Sequence, residues 1–343
     1  MTDSSLPLPH PTCPKSMSYG PCAGLRGETE CEIPGVTCPF VGLERVPAWN
    51  GITPTQSVTA SAGLVFLEKM ARRPVFVTDI PTVPLDAGSI AQIADCIGDS
   101  ADAVLIGDHG GARVQFPPAY RAMLMRQAGL ESWVGFNCRD RNRVALESEA
   151  AALAHLGVAG VNCVTGDHTD SGHRADAKPV FDLDSTRLAS LARTAGLLVS
   201  VGENPIAPPL HLRAERLAQK VRAGAHLCFV NLPHSTDLVL EFREAVLRHG
   251  VDVPLIVGVP VITSRGAAEQ MLGFQGLRLP NGYLERILGS RKPRLEGIRL
   301  SVEHATAMLG VAGVRGLNLS GPAAAGEEHT MAEDFAEVAQ ALR

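Results

Sequence analysis

The sequence predicts a barrel of eight parallel β-strands, each followed by an α-helix. Short apolar runs alternate with helical periods, the alternation occurs eight times, and the runs are rich in β-branched residues. Strands buried on both faces have this composition, and eight strand–helix units in one chain fit a (β/α)8 barrel. A doubly wound open sheet is the alternative, which is disfavoured because no Gly-x-Gly-x-x-Gly follows the first strand.

Each strand is placed where a short apolar run stops, and each helix where a helical period follows. An earlier helical pattern, from Val58 to Met70, leads into the first strand. The predicted strands are Val75–Thr78, Ala103–Ile106, Trp133–Asn137, Gly160–Val164, Leu197–Val201, His226–Val230, Leu255–Val259 and Val314–Leu319. The predicted helices are Gly88–Ile97, Pro118–Gln127, Arg143–Leu156, Ser185–Thr194, Ala214–Ala223, Thr236–His249, Ser264–Met271 with Arg294–Leu309, and Ala332–Leu342.

Length and charge exclude several classes of protein. The chain has 343 residues and a formal net charge of -5, so it can bury a large core but has no basic stripe for nucleic acid. It has no apolar run long enough to span a membrane and no secretion signal pattern at its start, so we expect a cytoplasmic location and no membrane partner. In that reducing compartment, clustered cysteines indicate metal rather than disulfides.

Residues 1 to about 50 differ from the rest, which we take as one barrel domain over residues 51–343. This segment is rich in proline, lacks a period that would close a core, and contains Cys13, Cys22, Cys31 and Cys38, separated by eight, eight and six residues. Four thiolates suit tetrahedral zinc or an iron-sulfur cluster and would order such a segment. No Cys-x-x-Cys is present, and reduced cysteines in a segment packed on the barrel are the alternative.

Two polar stretches follow neighbouring predicted strands. Asn137 to Asn142 follows the third strand, and Thr165 to Asp167 follows the fourth. The carboxyl ends of parallel strands lie on one edge of a barrel, where such folds place their chemistry. The two stretches therefore belong to one pocket.

Five motifs lie in order along the chain: Arg139-Asp140-Arg141-Asn142-Arg143, Thr165-Gly166-Asp167, Val180-Phe181-Asp182-Leu183-Asp184-Ser185, Asn204-Pro205-Ile206-Ala207-Pro208-Pro209 and Lys220-Val221-Arg222-Ala223-Gly224-Ala225. Through these motifs, in the same order and at matching spacing, the sequence resembles the methylenetetrahydrofolate reductases over most of residues 74 to 343. The N-terminal segment also resembles the small cysteine-rich domain that accompanies such reductases, although here it precedes the barrel.

The resemblance implies a reduced folate at the barrel mouth and hydride transfer to its methylene carbon. That reaction needs an acid and an anion that stabilises a cation. Asp167 matches the family's anion. Strict spacing puts Thr78 at the position of the family's acidic glutamate, and we predict that its neighbour Asp79 is the acid. Alternatively, Asp79 is a solvated residue in a turn towards Pro81. In that case Asp108, His109 or Glu203 would be the acid.

Five further residues are expected to bind substrate. Thr165 and Gly166 belong to the Thr-Gly-Asp motif, and Asn231 stands where the family has a pterin-binding glutamine. Asn204 is expected to face the barrel mouth and contact substrate. The alternative is that its side chain only forms a turn before Pro205. Arg139 is expected to hold the glutamyl tail or a phosphate, with a structural ion pair as the alternative.

The flavin that the resemblance implies has no matching contacts. Gly135, Arg213 and Arg216 stand at or near positions where the family places flavin-contacting side chains. We therefore predict that FAD is not bound and that NAD(P)H donates the hydride directly. The loop histidines His168 and His173 are expected to have no role, and the alternative is that they act as acid or lid residues. The core is expected to contain Cys96, Cys138, Cys163 and Cys228.

The sequence thus predicts an enzyme of one-carbon metabolism that resembles methylenetetrahydrofolate reductase. A non-catalytic or electron-transferring subunit of a reductase complex is one alternative, and a folate-dependent methyltransferase is another. The expected partners are a reduced folate and either further copies of the chain or a partner reductase subunit.

Overall fold

The predicted (β/α)8 barrel is confirmed by the computed structural model, which describes residues 7–107, 114–171, 174–272, 277–322 and 326–343. Eight parallel strands close the barrel in chain order, with the last strand paired to the first. They are β1 (Val75–Asp79), β2 (Ala103–Ile106), β3 (Ser132–Asn137), β4 (Gly160–Val164), β5 (Val199–Glu203), β6 (Leu227–Val230), β7 (Leu255–Pro260) and β8 (Val314–Ser320).

Helices alternate with the strands and pack around them. One helix, α9, was not predicted from the sequence; it lies between the two helices expected after β7. In the described residues the helices are α1 (Ser61–Arg72), α2 (Ala87–Ile97), α3 (Pro118–Gln127), α4 (Arg143–Leu156), α5 (Ser185–Thr194), α6 (Arg213–Ala223), α7 (Thr236–Arg248), α8 (Arg265–Leu272), α9 (Tyr283–Gly289), α10 (Pro293–Leu309) and α11 (Glu328–Ala341).

The fifth strand differs most from its prediction. It was expected at Leu197–Val201 but runs from Val199 to Glu203, two residues later. Leu197 is buried like a strand residue, yet the ladder with β4 begins only at Val199. With this shift Glu203 is the last residue of β5, and its side chain is buried.

The amino end of the barrel is closed by α1. The ring of Phe66 packs on Trp133 with centroids 4.8 Å apart, in a cluster with the inward-facing Val75 and Val77. A Cβ on Gly63 would lie 3.2 Å from the carbonyl oxygen of Ala159, just before β4, so the helix approaches the barrel closely. This packing leaves the carboxyl end as the open end of the barrel.

The described part of the N-terminal segment, residues 7–50, lies against α5 and α6. Asp184 caps α5 and also accepts backbone hydrogen bonds from Ser18 and Tyr19, at 3.0 and 2.8 Å. On α6, Gln219 accepts the Trp49 N–H at 2.7 Å. The segment is fixed mainly through its backbone, as expected for a chain with little regular structure.

No helix in the described ranges is both long and apolar enough to cross a membrane.

Candidate functional site

The main cavity opens at the carboxyl ends of the strands and has a volume of about 580 Å³. Every strand, or the loop that follows it, contributes to its wall, and the N-terminal segment covers part of it with Lys15, Cys22, Ala23 and Gly24. Its polar lining includes Asp79, Asn137, Asn162, Thr165, Asp167, Asn204, Asn231, Asn318 and Ser320.

Asp79 lines this cavity and Thr78 does not. Thr78 is fully buried, and its hydroxyl has no hydrogen-bond partner within the described chain. Because neighbouring residues of a strand face opposite sides, Thr78 points towards the helices while Asp79 points into the mouth. Both Asp79 and Asp167 therefore border one space, the placement expected for the acid and the anion.

Two side chains of β8 hold the Asp79 carboxyl. Asn318 Nδ2 donates to Asp79 Oδ1 at 3.2 Å, and Ser320 Oγ donates to Oδ2. Burial raises the pKa of Asp79, and the hydrogen bonds from Ser320 and Asn318 only partly oppose that effect. A carboxyl with a raised pKa is suited to donating a proton near neutral pH.

Asp167 is placed by the loop after β4. Gly166 has a φ of +88°, which favours glycine, and a Cβ there would lie 3.3 Å from Asn137 and Arg139. Thr165 is buried, and its hydroxyl accepts the Ser185 N–H at 3.2 Å, which ties the loop to the start of α5. The turn thereby exposes the Asp167 carboxylate to the cavity.

The remaining expected substrate-binding residues divide into two groups. Asn231 and Asn204 line the cavity. Asn204 Oδ1 also accepts the Ile206 N–H at 3.2 Å, so Asn204 forms the turn at Pro205 that was the alternative to a binding role. Arg139 is not part of the cavity wall; it is 3% exposed and pairs with Asp140, with a 2.7 Å separation between Nη2 and Oδ2. That placement favours the structural ion pair.

Glu203 cannot serve as the substitute acid. It is buried, with Lys220 Nζ at 2.9 Å, Arg213 Nη1 at 3.2 Å and Arg216 Nε at 3.8 Å from its carboxylate. Burial alone would raise the pKa of Glu203, but Lys220, Arg213 and Arg216 together lower it to about 2. A group that stays ionised at neutral pH has no proton to donate.

We expect Glu203→Gln to destabilise the fold by about 3–5 kcal/mol, because it leaves three buried cations without their carboxylate. In the wild type the unfolded chain takes up a proton at Glu203 near its ordinary pKa of 4.5, and the folded protein only near 2. The free energy of unfolding should therefore fall as pH drops from about 4.5 to 2.

Thermal and urea unfolding across this pH range measure the effect. Glu68→Gln is the matched control, because Glu68 pairs with Arg72 on the surface of α1 and should contribute less than about 1 kcal/mol. Equal losses of stability in the two variants would contradict the account of the Glu203 cluster.

The residues at the expected flavin-contact positions do not fit a flavin. Arg213 Nη2 donates to the carbonyl oxygens of Pro208 and Cys22, at 2.6 and 3.2 Å, in addition to its pairing with Glu203. Arg216 belongs to the same ion cluster, and its Nη2 donates to the Ser185 hydroxyl at 3.3 Å, although the residue also lines the cavity. A Cβ at Gly135 would lie 2.9 Å from the carbonyl oxygen of Ile106, so β3 and β2 approach too closely there for a larger side chain.

The four N-terminal cysteines lie near one another. The pKa of Cys38 is raised to about 11, first by burial and then by Cys22, Cys13 and Cys31. Among the described residues, however, no group of three or more His, Cys, Asp or Glu side chains is arranged to hold a metal ion. The arrangement therefore does not establish the metal, and zinc or an iron-sulfur cluster on these thiols stays a prediction.

Metal analysis of purified protein tests that prediction. We expect zinc or iron in a constant ratio to protein, and replacement of all four cysteines by serine should remove it. If the metal is zinc, X-ray absorption should give sulfur–metal distances of about 2.3 Å. A metal-free wild type with an ordered N-terminal segment would contradict the prediction.

The other histidines and cysteines have mostly structural surroundings. His168 is buried, and its ring stacks on Phe181 at 5.8 Å. Cys138, Cys163 and Cys228 are buried in the barrel, as expected, and Cys163 also lines the cavity. Cys96 is only half-buried and contacts His329. Asp108, His109 and His173 lie outside the described residues.

Two parts of the site were not predicted from the sequence. They are Asn318 and Ser320 on β8, which hold Asp79, and Lys15 of the N-terminal segment, which lines the cavity. Asn318 was a detectable signal, since it is a polar residue between Leu317 and Leu319 at the carboxyl end of an apolar strand. Lys15 gave no such signal, because it belongs to a segment without a regular period.

The fold and the cavity define a (β/α)8-barrel protein with a polar site at the carboxyl ends of its strands, where this fold binds its ligands. Residues 103–319 match the methylenetetrahydrofolate reductase family. The chain therefore belongs to that family.

Two individual proteins illustrate the similarity. A 5,10-methylenetetrahydrofolate reductase of Pectobacterium carotovorum subsp. carotovorum is 24% identical over 163 residues, 46% of this chain and 53% of the relative. The match thus spans about half the length of that relative. An uncharacterised protein from Clostridium thermocellum that binds two copies of 5-methyl-5,6,7,8-tetrahydrofolic acid has a similar fold, with a TM-score of 0.54 and 11% identity, covering 80% of this chain and 98% of that one.

Proposed function

We propose that the protein binds a reduced folate in the mouth cavity and reduces 5,10-methylenetetrahydrofolate to 5-methyltetrahydrofolate. One observation carries the proposal: two carboxyl groups with different surroundings border the same cavity. Asp79 is held by neutral donors and has a raised pKa, whereas Asp167 is exposed on the loop after β4. Such a difference supports Asp79 as the acid and Asp167 as the anion.

The reaction needs both groups. The methylene carbon bridges N5 and N10 of the substrate, and breaking its bond to N10 leaves an iminium cation at N5. N10 takes up a proton as it leaves, and a hydride then reduces the methylene carbon to methyl. The overall change consumes one hydride and one proton, so an acid close to N10 and an anion close to the cation both lower the barrier.

Asp79 is proposed to supply the proton. The two β8 donors fix its carboxyl in the mouth, and burial favours its protonated form. Asp167 is proposed to stabilise the cation, because the Gly166 turn presents its carboxylate to the cavity. Under this proposal the acid lies on β1 and the anion on the loop after β4.

Asparagine side chains are proposed to bind the pterin ring. A carboxamide offers both a donor and an acceptor, which suits the amino, ring-nitrogen and carbonyl groups of a pterin. Asn318 is more than nine-tenths buried, and its Oδ1 has no partner within the described chain while its Nδ2 holds Asp79. Four further asparagines line the cavity: Asn137, Asn162, Asn204 and Asn231.

NAD(P)H is proposed to donate the hydride directly. The positions at which flavin contacts were expected are Gly135 and the arginines of the Glu203 cluster, and these arginines already bind protein groups. No step is therefore assigned to a flavin. The hydride must be delivered to the methylene carbon from within about 3.5 Å, so the nicotinamide must share the cavity with the folate.

Calorimetric titration with 5-methyltetrahydrofolate tests the binding part of this proposal. We expect saturable binding that Asn318→Ala weakens, with p-aminobenzoylglutamate, which lacks the pterin, as the control ligand. Binding confined to the pterin-containing compound would support the assigned site. Equal affinity for both compounds, or no binding, would contradict it.

An electron-transferring subunit is the second candidate, and the position of Cys22 favours it. Cys22 lines the cavity and packs in one cluster with Cys13 and Cys38. A cluster on these thiols would lie beside the mouth. An iron-sulfur absorption spectrum, together with absence of NADH oxidation by the protein alone, would support this candidate over the first.

A further inference from the structure

The N-terminal segment packs against the barrel and also forms part of the cavity wall. Lys15, Cys22, Ala23 and Gly24 line the cavity, although they precede the region that matches the family, residues 103–319. The segment is held beside the mouth by buried groups of the barrel. Asp184 accepts the Ser18 and Tyr19 N–H groups, and Arg213 donates to the Cys22 carbonyl.

Lys15 reaches the cavity as half of a buried ion pair. Its Nζ lies 2.7 Å from Glu32 Oε2, and both residues are more than nine-tenths buried. A Cβ at Gly24 would lie 2.3 Å from Glu32 Oε2, so glycine at this position leaves room for the Glu32 carboxylate. Both residues belong to the N-terminal segment, so the carboxylate that pairs with Lys15 comes from the segment itself.

The same pair is joined to the loop that presents Asp167. The second carboxylate oxygen of Glu32 accepts the backbone N–H of His168, the residue after Asp167. Lys15 and Asp167 line the same cavity, and Lys15 is fixed relative to the Asp167 loop through Glu32.

The other two cations that line the cavity belong to the ion cluster around Glu203. Lys220 and Arg216 surround Glu203, and Lys220 also donates to the Gly202 carbonyl at 2.6 Å. An ammonium has three donors, and one hydrogen bond to Glu32 leaves Lys15 able to donate to a ligand. Lys15 differs from these two cations because Glu32 joins it to the loop that presents Asp167, so it is placed to meet a ligand there.

We propose that Lys15 is a ligand-binding residue of the barrel site and donates a hydrogen bond to an oxygen acceptor on the ring system that Asp167 faces. Under the proposed function, on which this inference rests, that acceptor is the ring carbonyl of the pterin. Glu32 is the positioning residue, since it holds the ammonium and the Asp167 loop together. The N-terminal segment then acts in substrate recognition, and an intact segment is needed for full affinity.

Titration of Lys15→Met with 5-methyltetrahydrofolate tests the proposal. Loss of a charge-assisted hydrogen bond should weaken binding by about 10- to 100-fold, and Lys15→Arg should recover part of the affinity. Arg26→Met is the matched control, because Arg26 is an exposed cation on the same segment and is absent from the cavity wall. Its affinity should equal that of the wild type.

A second variant separates binding from folding. Lys15→Met alone leaves Glu32 buried without its cation, whereas Lys15→Met with Glu32→Gln removes both charges and keeps an acceptor for the His168 N–H. Docking of the segment is followed by the fluorescence of Trp49, which packs on Tyr19 with ring centroids 5.6 Å apart. We expect the double variant to keep the wild-type spectrum and still bind weakly.

Wild-type affinity in the double variant, or an equal loss in Arg26→Met, would overturn the role of Lys15 while leaving the proposed function intact. No binding by the wild type would overturn the proposed function and this inference with it.

Discussion

Asp79→Asn is expected to lower kcat by about 10²- to 10⁴-fold with a much smaller effect on folate affinity, because the amide cannot donate the proton that N10 requires. The reason lies in the surroundings of the carboxyl, where burial raises the pKa of Asp79 and no described cation pairs with it. In the wild type, kcat should therefore decline as the pH rises through this raised pKa, and the variant should lose that decline. Steady-state rates across pH measure both effects.

Thr78→Val is the matched control for this experiment. The Thr78 hydroxyl is buried without a partner in the described part of the chain and lies on the opposite face of β1. Removing it should leave kcat near the wild-type value. A large loss in Thr78→Val and little change in Asp79→Asn would show that the acid is assigned to the wrong side of the strand.

Asp167→Asn is expected to lower kcat by about 10²-fold or more while the Kd for 5-methyltetrahydrofolate changes little. The carboxylate acts mainly on the positive charge that develops at N5, and the methyl product lacks that charge. Asp170→Asn is the control, because Asp170 is an exposed carboxylate of the same loop outside the cavity wall. Parallel losses of affinity and turnover in Asp167→Asn would indicate a binding role instead of an electrostatic one.

Most of the fold follows from periodicity. Strands β2 and β4 match their predictions at both ends. The apolar run of β2 is bounded directly by Asp102 and Gly107, and that of β4 ends directly before Thr165. The fifth strand was placed two residues early, since Leu197 and Leu198 are as apolar as the strand itself. Helix α9 was missed because it has only seven residues, too few for a clear helical period.

Less of the site could be predicted. The shared position of Asp79 and Asp167 at the cavity was predictable because Asp79 ends an apolar strand, Asp167 follows another, and strand ends share one edge of a barrel. Glu203 had the same sequence signal, yet three cations from α6 make it a structural carboxylate. A carboxylate open to the cavity and a carboxylate paired with cations differ here only through the packing of α6 against β5. The pattern of a single sequence does not show that packing.

The role of the N-terminal segment also required the structure. Lys15 and Glu32 are 17 positions apart in a segment without regular secondary structure, and their pairing depends on backbone contacts with Asp184 and Arg213. Proline and cysteine content indicated that the segment needed stabilisation. It did not indicate that the segment would cover the barrel mouth.

The most direct test of the proposed function is an oxygen-free assay that combines the absorption spectrum of the purified protein with NADH oxidation. We predict no flavin bands, no NADH oxidation by the protein alone, and oxidation that begins when 5,10-methylenetetrahydrofolate is added, with one 5-methyltetrahydrofolate formed for each NADH consumed. Flavin bands would contradict direct transfer from the nicotinamide. No folate-dependent oxidation of either NADH or NADPH would contradict the reductase function itself.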